Sequence, residues 1–301
     1  MCGIVGLFTK DRSLEPELGR LMAQMLVAMT DRGPDSTGFA VYGGAEPGEV
    51  KLTIRGPAGT DFVELTDSLA SVAAPPLAVH DNHAVIAVAQ DREAEARDEL
   101  SRRPNISVVS FGRSMEVFKE VGLPSEVSKR FGLASMRGSH GIGHTRMATE
   151  SAVTTQGAHP FTTGMDECLV HNGSLSNHNQ VRRGLIRQGL SFQTDNDSEV
   201  AAGYLTWKMR EGATLTQALE SSLDALDGFY TFVVGTETGF GVLRDPIACK
   251  PAVMAETDRW VAFGTEYRAL VNLPDIEKAT VWEPEPAKVY TWERNSGERH
   301  G

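Results

Sequence analysis

Phe229-Tyr-Thr-Phe-Val-Val-Gly235, Thr236-Glu-Thr238 and Gly239-Phe-Gly-Val-Leu243 read as a β-hairpin, two runs rich in aromatic and β-branched residues around a short polar turn. A second hairpin follows, Pro251–Ala255 with Arg259–Phe263, and two more short strands are expected at Thr280–Trp282 and Val289–Trp292. Strands that pair with their sequence neighbours predict antiparallel sheets. Immediately upstream, helices are predicted at Asn177–Gln188, Asp197–Arg210 and Thr214–Leu226, the last with Thr214 as its N-cap. Amphipathic helices beside antiparallel sheets predict a layered α+β fold in which the helices cover the sheets.

Working outward to the N-terminus, Cys2–Phe8 is a short buried strand, apolar and β-branched at Ile4 and Val5. Glu15–Met29 is a helix, because Leu18, Leu21, Met22, Met25, Leu26 and Met29 recur at helical spacing. The turn-rich loop Asp31–Gly38 leads into a strand pair, Phe39–Tyr42 and Val50–Ile54, with Gly43-Gly44 between them. Gly141–Met147 and Glu167–His171 are also strands. Between about residues 60 and 137 the pattern changes. Strands at His83–Ala89 and Ile106–Phe111 alternate with helices at Glu93–Arg102 and Ser114–Val121, and helical turns at Pro124–Phe131 close the stretch. The expectation is one domain over residues 2–301 carrying a small α/β insertion that packs or docks and holds no chemistry of its own.

The chain has 301 residues, of which 41% are hydrophobic and 23% charged, enough to bury a full core. No apolar run approaches the ~20 residues needed to cross a bilayer. Gly3–Phe8 is too short for a secretory signal, so a cytoplasmic location is expected. A net charge of −11 argues against nucleic acid or an anionic membrane as partner. Cys2, Cys168 and Cys249 are odd in number and widely spaced, so neither a disulfide framework nor a Cys-x-x-Cys metal pair is expected.

Cys2 carries the chemistry the sequence suggests. A thiol attacks as thiolate, and with a pKa of about 8.5 it is mostly protonated at neutral pH. An α-amine, pKa roughly 7.7–8.0, is a usable base, and on an amino-terminal residue it reaches that residue's own side chain. Removal of Met1 would release such a base. The competing reading is a small hydrophobe at the start of a strand. Attack on an amide also needs donors for the oxyanion. Asn172 and Gly173, in Val170-His-Asn-Gly-Ser174, supply a side-chain amide and a backbone N–H, although Asn-Gly alone is equally a turn signal. An amino-acid substrate has two charged α-groups to hold. Arg146 suits the carboxylate and Asp197 the ammonium, with a structural ion pair and a helix cap as their competing roles.

Met1-Cys-Gly-Ile-Val-Gly6, Arg32-Gly-Pro-Asp-Ser-Thr-Gly38, Gly143-His-Thr-Arg-Met-Ala-Thr149, His171-Asn-Gly173 and Asp197-Ser-Glu-Val200 together resemble the class II glutamine amidotransferases, which are amino-terminal-nucleophile hydrolases. Gly228–Val233, Arg244-Asp-Pro246 and Phe263–Leu270 extend the likeness towards the C-terminus. The resemblance implies a four-layer αββα sandwich. It implies Cys2 as nucleophile, with Asn172 and Gly173 as the oxyanion hole. By the same resemblance Arg146 holds the glutamine α-carboxylate, Asp197 the α-ammonium, Thr149 and His159 line the carboxylate side, and Arg32 positions the nucleophile. Thr194–Glu199 is two residues longer than the family's run, which makes Asp195 a rival to Asp197. Asp197 is preferred because Ser-Glu-Val and a helix follow it directly. Met147 and Glu150 depart from the family's aromatic residue and histidine in the loop expected to cover glutamine.

No synthase domain is expected within the chain, so ammonia would pass to a separate subunit. The insertion and the opening Leu7–Gly19 resemble the stand-alone amidotransferase subunit of N-methylglutamate synthase and related glutamate-synthase-like systems. No cofactor is expected on this chain, whereas a partner of that kind would carry FMN and an iron–sulfur cluster. Two alternatives stand beside this reading: an amino-terminal-nucleophile amidase for another amide, and a scaffold or regulatory subunit with weak or silent glutamine hydrolysis.

Overall fold

The computed structural model describes residues 2–44, 46–69, 71–148 and 153–294. In chain order its strands are β1 (Gly3–Thr9), β2 (Ser36–Tyr42), β3 (Glu49–Arg55), β4 (Pro76–His80), β5 (His83–Ala89), β6 (Ser107–Gly112), β7 (Met115–Val121), β8 (His140–Arg146), β9 (Phe161–Gly164), β10 (Glu167–Leu175), β11 (Gly228–Gly235), β12 (Gly239–Arg244), β13 (Val253–Glu256), β14 (Trp260–Gly264), β15 (Thr280–Trp282) and β16 (Val289–Glu293). The helices are α1 (Leu18–Ala28), α2 (Phe62–Asp67), α3 (Glu93–Ser101), α4 (Pro124–Arg130), α5 (His178–Arg187), α6 (Asp197–Arg210) and α7 (Leu215–Ala225).

Two antiparallel sheets lie face to face. The first runs β15-β13-β14-β1-β8-β2-β7 and the second β16-β12-β11-β10-β9. Side chains alternate across β1 and so serve two cores. Ile4 and Phe8 join Val170, Val233, Phe240 and Phe263 between the sheets, while Val5 and Leu7 meet the buried face of α1. Gly6 is required here, since a Cβ at this position would stand 2.5 Å from the Phe240 ring. On the far side, Leu169, Phe232 and Val234 pack under α5, α6 and α7. The result is the four-layer αββα sandwich, α1 and α4 outside the first sheet and α5–α7 outside the second.

Most elements lie where the sequence puts them, including both C-terminal hairpins and the Thr214 cap, which forms a full capping box with Gln217. The α-helix expected from Glu15 starts at Leu18, because the turn containing Pro16 is a 3-10 segment. Two expectations fail. Phe39–Tyr42 and Val50–Ile54 are not a pair: β2 is flanked on both sides, by β8 and β7, which leaves no edge for β3. Ser114–Val121 is not a helix but β7, paired with β2 from Ser36↔Val121 to Tyr42↔Met115. Its Met, Glu and Lys favour helix, but capping the open edge of β2 outweighs that weak preference.

The third sheet, β4-β5-β3-β6, has its own core of residues such as Leu52, Ile54, Phe62, Ile86 and Leu100. Its strands span Glu49 to Gly112, so the stretch 60–137 leaves out β3. That stretch also takes in β7 and α4, whose Phe118, Val127 and Phe131 belong to the core beneath α1. Among the described residues no helix is long and apolar enough to cross a membrane.

Candidate active site

Three central strands bring the candidate residues together. Gly3 of β1 pairs with Thr145 of β8, so Cys2 and Arg146 stand one step further along the same ladder. Ser36 of β2 pairs with Arg146. On β10, Cys168, Val170 and Asn172 share the face turned to the first sheet, while Leu169 and His171 face the helices. Asn172 is therefore aimed at Cys2, and its Nδ2 donates to the Cys2 carbonyl oxygen at 3.3 Å.

A second donor meets that oxygen. Arg32, in a 3-10 turn after α1, donates from Nε at 3.1 Å, and its Nη1 donates to Glu266 at 2.5 Å. The Arg32 hydrogen bond is the chief reason the Glu266 carboxyl lies below its ordinary value. The Cys2 thiol is half-buried, with its Sγ 3.9 Å from the Met147 carbonyl oxygen. Asp35 holds the turn that presents Met147: its N–H donates to the Arg146 carbonyl oxygen at 3.0 Å, and its carboxylate accepts the Ala148 N–H at 2.7 Å. The loop motif 32–38 and the strand motif 143–149 are thus one structural unit.

Gly173 presses against β11, where a Cβ would fall 2.0 Å from the Phe229 carbonyl oxygen, so no side chain fits. Arg146 is buried at the end of β8, with its Nη1 3.6 Å from where a Cβ on Gly157 would stand. His159 is buried too and follows in the same loop. Asp197 opens α6 without capping it. Asn196 is the cap and accepts the Ser198 N–H, while Asp197 Oδ2 accepts the Leu175 N–H at 2.8 Å. Asp197 is thereby fixed against β10, three residues beyond Asn172. The rival Asp195 has a fully exposed side chain, 3.8 Å from Arg182. Thr149 and Glu150, like Met1, lie outside the described residues.

The sequence reading passed over Ser198. Its hydroxyl sits between His159 Nε2 (2.9 Å) and His171 Nδ1 (2.8 Å), and it also reaches Asp197 Oδ1 at 3.4 Å. His144 stacks on His159 with ring centroids 4.0 Å apart and bonds to the His171 carbonyl oxygen at 3.1 Å. Burial drives all three imidazoles down, His144 to about 3, His171 to about 4 despite the nearby Asp197, and His159 well below its ordinary value. They are neutral at pH 7 and brace the site through hydrogen bonds. Among the described residues no group of three His, Cys, Asp or Glu is arranged to hold a metal. The resemblance gave Asp197 a role and its neighbour in the motif none. Only the packing of α6 on β10 and the 153–160 loop reveals Ser198.

The arrangement joins the thiol-bearing residue to an amide donor, with a guanidinium at the end of β8 and a carboxylate fixed against β10. Such a set is chemically capable of nucleophilic attack on an amide of a zwitterionic substrate.

Comparison with known proteins bears on the family and the fold. Residues 144–272 match the family model described as a glutamine amidotransferase domain. The chain is 63% identical over 296 residues to the glutamine amidotransferase-like protein GlxB of Rhizobium meliloti, covering 97% of this chain and 98% of that protein. The glutamine phosphoribosylpyrophosphate amidotransferase of B. subtilis superposes with a TM-score of 0.61 at 21% identity. The structure titled as the allosteric regulatory enzyme of purine biosynthesis gives 0.63 at 22%. Each of these two superpositions spans 97% of this chain and 47% of the solved one, and they establish the shared sandwich. Likeness over nearly the whole length of a named relative, on this fold, makes the chain a member of the glutamine amidotransferase family.

Proposed function

We propose that the chain hydrolyses L-glutamine to glutamate and ammonia through a γ-glutamyl thioester on Cys2. With Met1 removed, the α-amine of Cys2 takes the thiol proton and the thiolate attacks the γ-carbonyl carbon. Negative charge gathers on the carbonyl oxygen, where Asn172 Nδ2 and the Gly173 N–H are the donors. Collapse breaks the C–N bond, and the nitrogen leaves as ammonia with the proton returned from the amine. Water, deprotonated by the same amine, then attacks the thioester and releases glutamate and free Cys2. Arg146 holds the substrate α-carboxylate, a role to which the resemblance adds His159 and Thr149, Asp197 holds the α-ammonium, and Arg32 fixes Cys2 from behind.

The observation that carries this reading is Asn172 Nδ2 at 3.3 Å from the Cys2 carbonyl oxygen, a donor from β10 on the residue that bears the thiol. The ammonia acceptor in this proposal is a separate glutamate-synthase-like subunit, such as that of N-methylglutamate synthase, with any FMN and iron–sulfur cluster on that partner.

The test is intact mass before and after treatment with 6-diazo-5-oxo-norleucine, together with ammonia release from glutamine. One adduct on Cys2 of a chain lacking Met1 is expected, and Cys2→Ala should abolish both adduct and ammonia. Full glutaminase activity in Cys2→Ala would sink the mechanism.

A further inference from the structure

A cavity of about 620 Å³ lies between β6 and α3 on one side and the 155–163 segment and the start of α6 on the other. Cys2, Arg146, Asn172 and Asp197 are absent from its walls. Its volume falls within the roughly 300–1,000 Å³ of small-molecule sites. Its charge is opposite to that of the molecule. In a chain of net charge −11, the walls carry, among the described residues, the cations of Arg55, Arg97 and Lys119 and one carboxylate, Glu199.

That carboxylate is already committed, for it accepts the N–H groups of Gln193 (2.7 Å) and Thr194 (2.8 Å) and the Thr194 hydroxyl (2.6 Å). Lys119 spends its hydrogen bonds on the carbonyl oxygens of Gln156, Ala158 and Pro160, none of them a counter-charge. Burial accordingly lowers its ammonium to about 8. Arg55 meets Glu120 only at 4.0 Å, and its buried Nε has no hydrogen-bond partner among the described residues. Arg97 lies over the Phe111 ring at 4.1 Å, paired with Glu93 through Nε. Ser110, 1% exposed on the same wall, has a hydroxyl without a partner among the described residues. The buried Lys119 ammonium has only carbonyl oxygens as acceptors, and the Arg55 Nε and the Ser110 hydroxyl have none among the described residues, so an oxyanion would complete them.

We propose that this cavity is a binding site for a small organic anion bearing carboxylate or phosphate groups, gripped by Arg55 and Arg97 and solvated by Ser110. A ligand there also touches Thr155 and Gln156, in the segment that leads to His159.

The test is calorimetric titration of the full chain with succinate, with inorganic phosphate and with uncharged glycerol, ionic strength being held constant with chloride. Saturable binding of succinate or phosphate and none of glycerol is expected, and which anion binds separates the carboxylate from the phosphate source. Arg55→Ala and, separately, Arg97→Gln should each weaken binding at least tenfold, while Arg146→Ala leaves it unchanged. Arg97 sits on an outer helix, so its variant stays interpretable if Arg55→Ala folds poorly. Hydrogen exchange should slow at 155–156 and 191–194 with the bound anion and not with chloride. Failure of both anions to bind, equal binding to the Arg55 and Arg97 variants, or loss only in Arg146→Ala would overturn the proposal. The last outcome would put the anion in the glutamine site.

Discussion

Arg32 and Asn172 lie far apart in the chain, yet both donate to the carbonyl oxygen of Cys2. Their roles differ in what the substrate would feel. In the proposed mechanism Asn172 is the oxyanion donor, whose contact strengthens as charge develops. Asn172→Ala should lower kcat by roughly 10²–10³-fold with little change in KM. A steady-state comparison checks this, and a kcat within a few-fold of the parent would remove Asn172 from that role. In the same proposal Arg146 addresses a part of glutamine that does not react. Arg146→Ala should therefore raise KM for glutamine well over tenfold and spare kcat at saturation. Loss of turnover with unchanged KM would instead assign it to the chemical step. At this scale Asp197 is separated from Asp195 by one physical fact: a carboxylate that accepts the Leu175 N–H is fixed in place, and one fully in solvent is not.

At the scale of elements, the site depends on strands whose two faces do different work. One residue of slip in β10 would turn Asn172 to the helices and His171 to Cys2, so the β9 and β11 pairings fix the geometry of the candidate site as well as the shape of the sheet. The 155–160 loop is held from β7, where Lys119 binds three of its carbonyl oxygens and Glu120 bonds to Thr155 and to Asn82 of the third sheet. The strand that the sequence suggested was a helix thus ties the third sheet to the loop carrying His159. Helix α7 offers a clean measure of local contributions. Its Thr214–Gln217 capping box satisfies two backbone N–H groups at an exposed end. Thr214→Ala should cost about 1 kcal/mol in urea unfolding without altering glutamine hydrolysis. A loss below a few tenths would mean that packing on the second sheet holds that end unaided.

For the whole molecule, buried neutral histidines set a pH response. His140, His144 and His171 ordinarily titrate near 6.5, and burial lowers them in the fold to about 3, 3 and 4. The unfolded chain therefore binds protons that the folded chain refuses. Their contribution to stability is complete above pH 6.5 and is lost as pH falls from 6.5 towards 4, by roughly 1.4 kcal/mol per pH unit for each group. Urea midpoints at pH 7.5, 6.5 and 5.5 should be similar for the first pair and clearly lower for the third. A midpoint unchanged at pH 5.5 would mean that these imidazoles become protonated within the fold.

The sequence by itself determined what depends on local chemistry. Hydrophobic period placed α1, aromatic and β-branched runs placed both C-terminal hairpins, Thr214 announced its cap, and the motifs singled out Cys2, Arg146, Asn172 and Asp197 as candidates. It failed where the partner of an element is distant in the chain. Whether Met115–Val121 is strand or helix depends on the free edge of β2, more than seventy residues away, which no local propensity encodes. Ser198 shows nothing of its role until α6 packs on β10 and brings two histidines to its hydroxyl. Tertiary structure decided these because edges, buried hydrogen bonds and convergent donors belong to pairs of segments, and a chain read in order contains only one member of each pair at a time.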